Sequence, residues 1–222
     1  MAISLTEAVL AVGALGTAAT GLVDSTKAFS GGISRAGFGY IKQLIARTIP
    51  SGPNAQAGSG LGADDILNTL LANWMNGMDP GGQKAIAKSF IKLHLNSATA
   101  AALAAQTNVD PAALANVAAK LAAMQSLTNP EADAFGRFDL ALSALIDRAY
   151  GRADQFYRNW CKVLACIFAI VLAWLGNRAL GTTLPRWEII IIGLIATPLA
   201  PMAKDIANAI QTASDTIGKL KG

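Results

Sequence analysis

The fold is decided by residues 135–203, which read FGRFDLALSALIDRAYGRADQFYRNWCKVLACIFAIVLAWLGNRALGTTLPRWEIIIIGLIATPLAPMA. The first part carries apolar residues at spacings of three and four, the period of one helix face. No proline occurs between Pro130 and Pro185, and Lys162 is the only charge in residues 160–175. We therefore predict one helix of about 45 residues, ~65 Å long at 1.5 Å per residue, half in water and half in a bilayer.

A second crossing is predicted after a turn at residues 177–186 (NRALGTTLPR). It begins at Trp187 and has only about 16 apolar residues, fewer than the usual ~20. Pro198 and Pro201 are expected to kink or end it, because proline removes a backbone donor and clashes with the preceding turn. Short spans are accommodated by thinning the bilayer or by oligomerising, so neighbouring helices are expected.

Aromatic and basic residues flank both crossings, as is typical of membrane–water interfaces, where rings and long cationic side chains reach headgroup depth. The predicted interface residues are Tyr157, Arg158, Trp160, Lys162, Trp174, Trp187 and Lys204.

An amphipathic tail is predicted for residues 204–222. Ile206, Ile210, Ile217 and Leu220 share one face, with polar residues on the other. Such a helix suits a membrane surface or a partner helix.

Residues 1–30 form a predicted N-terminal membrane or interfacial helix. Residues 3–23 carry Glu7 as their only charge and are long enough to span, although lying flat at the interface remains the alternative. Gly13, Thr17, Gly21 and Ser25 recur every fourth residue. This ridge of small residues predicts a packing face, for self-association or for docking on the other helices.

Residues 31–134 predict a region of short Ala-rich helices. Aspartates mark three helix starts, at Asp64, Asp79 and Asp110, while residues 51–62 have the composition of a flexible connector. Lys84, Lys88 and Lys92 form a basic stripe that we interpret as a solvated face. The predicted segments are thus 1–30, 31–134, 135–203 and 204–222.

The distribution of Lys and Arg predicts orientation. The flank before the first crossing and the tail are richer in basic residues than the turn. By the positive-inside rule, the middle region and the C-terminus are expected in the cytoplasm.

Residues 146–159 (IDRAYGRADQFYRN), followed by an apolar span, resemble a group of uncharacterised bacterial inner-membrane proteins. Asp147, Arg152, Phe156, Tyr157 and Arg158 match that group's pattern, although Ile146 stands where an aromatic residue is expected. Residues 193–201 (GLIATPLAP) are similar to the group's last span, but the aromatic-rich motif expected after it is absent. The resemblance implies a bacterial inner membrane and no known activity.

Composition excludes several classes of function. The chain is 53% hydrophobic and 14% charged, and its net charge of +4 is spread without a basic run, so no nucleic-acid partner is predicted. His94 is the only histidine, and we expect it to end a helix. Cys161 and Cys166 do not form a CxxC motif, and no Gly cluster matches a phosphate-binding loop. No metal, cofactor or catalytic residue is predicted.

The sequence therefore predicts an all-α integral membrane protein with a C-terminal two-helix hairpin. The favoured function is a non-enzymatic scaffold or anchor that self-associates, as a homo-oligomer, or tethers a larger assembly to the membrane. A pore or transport component is the alternative, although polar residues at membrane depth are few. An enzyme ranks third.

Overall fold

The computed structural model describes residues 5–26, 32–49, 61–181 and 184–220; for residues 5, 210 and 213–220 it describes the helix path alone. The predicted connector lies, for residues 51–60, outside the described part of the chain. The helices are α1 (Leu5–Thr26), α2 (Phe38–Thr48), α3 (Ala63–Met75), α4 (Pro80–Leu93), α5 (Ala100–Thr107), α6 (Pro111–Ala122), α7 (Asn129–Ala179) and α8 (Arg186–Leu220), with a 3₁₀ turn at Gly32–Arg35.

The protein is all-α in its described part, as predicted, and three of its helices are long and apolar enough to cross a membrane. These candidate spans are Thr6–Thr26, Asn129–Ala179 and Arg186–Ala209. Within the second, the apolar stretch is the later part of α7, since the earlier part carries regularly spaced charges. The first agrees with the predicted N-terminal membrane helix in length and composition.

The chain divides into two compact units. Unit 1 comprises Met1–Ile33 and Arg158–Gly222, and unit 2 comprises Ser34–Tyr157. Helix α7 contributes its first part to unit 2 and its remainder to unit 1. The predicted segment boundary at residue 134 therefore does not coincide with a unit boundary, because the first part of α7 packs with the short helices.

The core of unit 2 forms around the predicted stripe of α7. Phe138, Leu142 and Ile146 are completely or almost completely buried, together with Ile41 and Ile45 of α2. Burying a side chain of this size contributes ~1.5–3 kcal/mol. The short helices add the other large buried residues, which are Ile49, Ile66, Leu70, Ile91, Leu103, Leu114 and Val117.

Two of the predicted helix starts carry a side-chain cap. Asp79 accepts a hydrogen bond from the backbone N–H of Gly82 at 2.9 Å, and Asp110 accepts one from Ala112 at 2.9 Å. In both cases proline occupies the first turn, where its missing donor costs nothing. The Asp-Pro pairs therefore begin α4 and α6 as predicted.

The basic stripe of α4 is not simply a solvated face, which corrects the interpretation from sequence. Lys88 and Lys92 bind the carboxylate of Asp139 on α7 at 2.6 and 3.1 Å, and Lys84 pairs with Asp147 at 2.9 Å. The hydrogen bond from Lys88 is the main cause that lowers the pKa of Asp139, with Lys92 acting in the same direction. The stripe faces α7 because the acids recur there at a spacing of eight, close to two helical turns.

Helix α8 continues through Pro198 and Pro201, so neither proline ends the helix. Its candidate membrane span lies within Arg186–Ala209. Each proline loses one helical hydrogen bond, but α1 packs against this stretch at Ala200 and stabilises it. The predicted tail is thus the continuation of α8.

In that continuation Lys204 is exposed and Ile206 is half-buried. The side chains of Ile210, Ile217 and Leu220 lie outside the described residues. Their assignment to one apolar face stays a prediction.

Thr128 and Glu131 cap the start of α7. Glu131 accepts hydrogen bonds from the backbone N–H and the hydroxyl of Thr128, both at 2.8 Å, and pairs with Lys120 at 2.7 Å. These donors, Lys120 first, lower the pKa of Glu131 from 4.5 to about 2. The charged form is therefore favoured in the folded state.

Because the pKa of Glu131 is lower in the folded state than in the unfolded state, the stability of the fold depends on pH. A lowered pKa means that Glu131 stabilises the fold above pH 4.5 and that this contribution is lost as pH falls toward 2. We expect Glu131→Gln to lower the melting temperature of the full chain in detergent above pH 4.5, with the difference from wild type shrinking as acid is added. Circular dichroism at a series of pH values measures it.

Asp133→Asn is the matched control, because Asp133 is an exposed carboxylate in the same turn. It should follow the wild-type curve throughout. A Glu131→Gln effect that is equally large at all pH values would contradict the assignment.

Candidate membrane surface and helix interface

Helix α1 packs on α8 through its smallest residues. Gly13, Gly16, Ala19 and Val23 are the buried positions of α1. A Cβ atom placed on Gly13 would overlap the side chain of Ala203, and one placed on Gly16 would lie 2.6 Å from the carbonyl carbon of Ala196. The two backbones are therefore in van der Waals contact, the arrangement that small residues permit in membranes.

The buried stripe of α8 also consists mostly of small residues, with Ile189 as the exception. Its spacing alternates between four and three residues, the pattern of a helix seam that faces neighbouring helices. The stripe consists of Ile189, Gly193, Ala196, Ala200 and Ala203.

Helix α7 joins the same stripe at Gly193. A Cβ on Gly193 would lie 2.6 Å from the Cα of Ile170. Two glycines on α1 and one on α8 therefore allow the helices of unit 1 to approach closely.

The predicted ridge of α1 divides between two faces. Gly13 is buried against α8, whereas Thr17, Gly21 and Ser25 are exposed. The hydroxyl of Thr17 donates to the carbonyl of Gly13 at 3.0 Å, and that of Ser25 donates to Leu22 at 2.7 Å. Docking on α8 uses the face of Gly16 and Ala19 instead, so self-association through Thr17, Gly21 and Ser25 stays a prediction.

Large apolar side chains cover the outside of unit 1. Apart from Leu180 (80%) and Leu184 (42%) beside the turn, they are 40–61% exposed, which is unusual for residues of this size in water. The set comprises Leu22 of α1, Trp160, Val163, Ile167, Val171, Trp174 and Leu175 of α7, and Trp187, Ile190, Ile191, Leu194, Ile195 and Met202 of α8.

The predicted interface residues stand at the ends of this apolar surface. Trp160 and Lys162 are exposed near the start of the apolar part of α7, as is Arg158. At the other end the guanidinium of Arg178 lies 5.7 Å from the centre of the Trp174 ring. Aromatic rings beside cationic groups suit headgroup depth.

Tyr157 is placed differently from the other predicted interface residues. It is half-buried in unit 2, where its ring lies 6.4 Å from that of Trp74, edge to face. The indole N–H of Trp74 in turn donates to the carbonyl of Ser34 at 2.6 Å. Tyr157 therefore packs a helix of unit 2 against α7.

Polar groups are scarce inside unit 1. Among the described residues, the buried polar side chains (Thr48, Gln83, His94, Thr99 and Thr107) all belong to unit 2. Thr20 satisfies its hydroxyl on the carbonyl of Thr17 within α1, at 2.8 Å. Unit 1 thus has, in its described part, an interior of small apolar side chains.

His94 ends α4, as predicted. The residue is 3% exposed, with Nδ1 2.9 Å from the carbonyl oxygen of Phe90 and Nε2 3.1 Å from that of Leu61. Both ring nitrogens are engaged with backbone, which fits a structural role. Across residues 5–26, 32–49, 61–181 and 184–220, no three His, Cys, Asp or Glu side chains cluster to hold a metal ion.

Comparison with known protein families, with curated proteins and with solved structures finds no match to this chain. The function is therefore argued from the geometry of unit 1 and unit 2.

From the contact between α1 and α8 we predict that alanine substitutions at two glycines of α1 have different effects on stability. Gly16→Ala places a methyl group against the Ala196 carbonyl, and overpacking of this kind costs ~1–3 kcal/mol. Gly21→Ala meets nothing within 4 Å and should be neutral or slightly stabilising. Thermal unfolding of both full-length variants in detergent measures the difference. Equal melting temperatures would contradict the close contact.

Proposed function

We propose that the protein is a non-enzymatic membrane scaffold, which self-associates or tethers a larger assembly to the bacterial inner membrane. The lipid bilayer is its first partner, and a second copy or a larger membrane complex is its second. The bacterial inner membrane as location rests on the resemblance of residues 146–159, and the cytoplasmic C-terminus rests on the distribution of basic residues. The proposal involves no cofactor.

The observation that carries the proposal is the reversed distribution of side chains in unit 1. Large residues such as Val171 and Ile195 are exposed, while the buried positions hold residues such as Ala169, Ala196 and Ala200. In lipid there is no hydrophobic gain from burying large side chains, so close contact between small ones holds the helices together. This construction favours an anchor.

A pore needs polar groups along a wet path. The polar candidates in unit 1 are dispersed: Thr17 and Thr20 bond to their own helix, and Cys166 lies 3.7 Å from the hydroxyl of Thr197. No buried charged side chain occurs in the part of unit 1 that the structure describes. These features favour holding an assembly in place over moving a solute across.

Helix α7 supports the tethering half of the proposal. It runs unbroken for 51 residues, from the capped start in unit 2 into the apolar part of unit 1. Unit 2 is fastened along its first part by the ion pairs of Asp139 and Asp147. A partner that binds unit 2 would therefore be linked to the membrane by a continuous helix.

The proposal predicts a defined oligomer, or a complex with a soluble assembly, and no ion flux. Purification in mild detergent with mass measurement by light scattering gives the first quantity, and flux from liposomes containing the protein gives the second. A closed ring with measurable flux would overturn the scaffold in favour of a pore.

Self-association through α1 has its own variant. Gly21→Leu adds a bulky side chain to the exposed face, where nothing lies within 4 Å. We expect the substitution to raise the dissociation constant of the oligomer at least tenfold. The melting temperature of the protomer should not fall. Ala8→Leu, at an exposed position on a different face of α1, is the control. Unchanged association in Gly21→Leu would remove this face from the proposal.

A further inference from the structure

Unit 2 contains a small cleft bordered by α2, α5 and α7. Its cavity volume is about 90 Å³, three times the ~30 Å³ that one water occupies in the liquid. The polar lining comes from Tyr40, Gln43 and Arg47 of α2, Gln106 of α5, and Arg148 and Arg152 of α7. The cleft therefore has room for one small group, and three of its lining side chains are cationic.

These three arginines are exposed, and in the described part of the chain none of them has an acidic partner. Within the described ranges, no acidic side chain lies within ion-pair distance of Arg47, Arg148 or Arg152. Asp147, which is next to Arg148 in sequence, instead pairs with Lys84. Gathering three like charges costs electrostatic energy, which a bound anion offsets.

The side chains match one chemical class of anion. The planar guanidinium group presents a fork of N–H donors that fits phosphate oxygens in pairs. Gln43 and Gln106 add neutral amide donors at the same cleft. A tetrahedral phosphate can use donors from several sides, whereas a flat carboxylate uses fewer.

We propose that this cleft binds one phosphate group, carried either by an anionic lipid headgroup or by a small soluble phosphate ester. The site uses α2 and α7 together, so it exists only when unit 2 is folded. The inference does not rest on the scaffold function, because the cleft is complete within one chain.

Two matched double variants test the site in the full chain. Arg47→Gln with Arg148→Gln removes two charges from the cleft, one on α2 and one on α7. Lys42→Gln with Arg137→Gln removes two exposed charges from the same helices outside the cleft. Phosphatidylglycerol retained on the detergent-solubilised protein is counted by native mass spectrometry, with phosphatidylcholine for comparison. Inorganic phosphate is tested by thermal shift against chloride at equal ionic strength.

We expect the control to bind as wild type does and the cleft variant to bind at least tenfold more weakly. A response to phosphatidylglycerol alone identifies a lipid headgroup, and a response to inorganic phosphate identifies a soluble ester. Equal binding by both double variants, or no binding by wild type in either assay, overturns the proposal.

Chemical modification of arginine tests the site in the wild-type protein. Phenylglyoxal modifies exposed arginines, and peptide mass spectrometry follows each site. The bound phosphate should slow modification of Arg47, Arg148 and Arg152 at least threefold while leaving Arg137 unchanged. Uniform protection of all four would show that the cleft is not a site.

Discussion

The unbroken backbone hydrogen bonding of α7 is the constraint on which both compact units depend. In unit 2, Phe138 and Leu142 of its first part pack in the hydrophobic core. Asp139 forms an ion pair with Lys88 of α4. The second part of α7 packs against α8 at Ile170 in unit 1. Without the first part of α7, the short helices, which bury little area individually, would lose the element that stabilises them.

The two parts of α7 follow the same helical geometry under opposite packing rules. In unit 2 the large apolar side chains of α7 are buried. The hydrophobic effect stabilises this arrangement by ~25 cal/mol per Å² of apolar surface removed from water. In unit 1 the large side chains are exposed and the small ones are buried, which suits a surrounding of lipid. This change of packing along one helix supports the membrane location on which the proposed function rests.

Much of the fold could be predicted from local patterns. The Asp-Pro pairs located two helix starts, and the apolar stripe located the core of unit 2. Sequence could not choose between two small-residue faces of α1, because Gly16 and Gly21 differ only in the partner each meets. Of the kink or end expected at the prolines of α8, the end does not occur. The Lys–Asp pairs and the arginine cleft join residues distant in sequence, which periodicity does not detect.

The most direct test is an accessibility scan by spin labels along α7 in liposomes, in a variant without Cys161 and Cys166. Labels at Leu140, which is 73% exposed, and at Val171, which is 45% exposed, give the two extremes. Leu140 should relax with a water-soluble nickel reagent, and Val171 should relax with oxygen dissolved in lipid but not with nickel. Access of the nickel reagent to Val171 and its neighbours would contradict a helix that is half in water and half in the membrane.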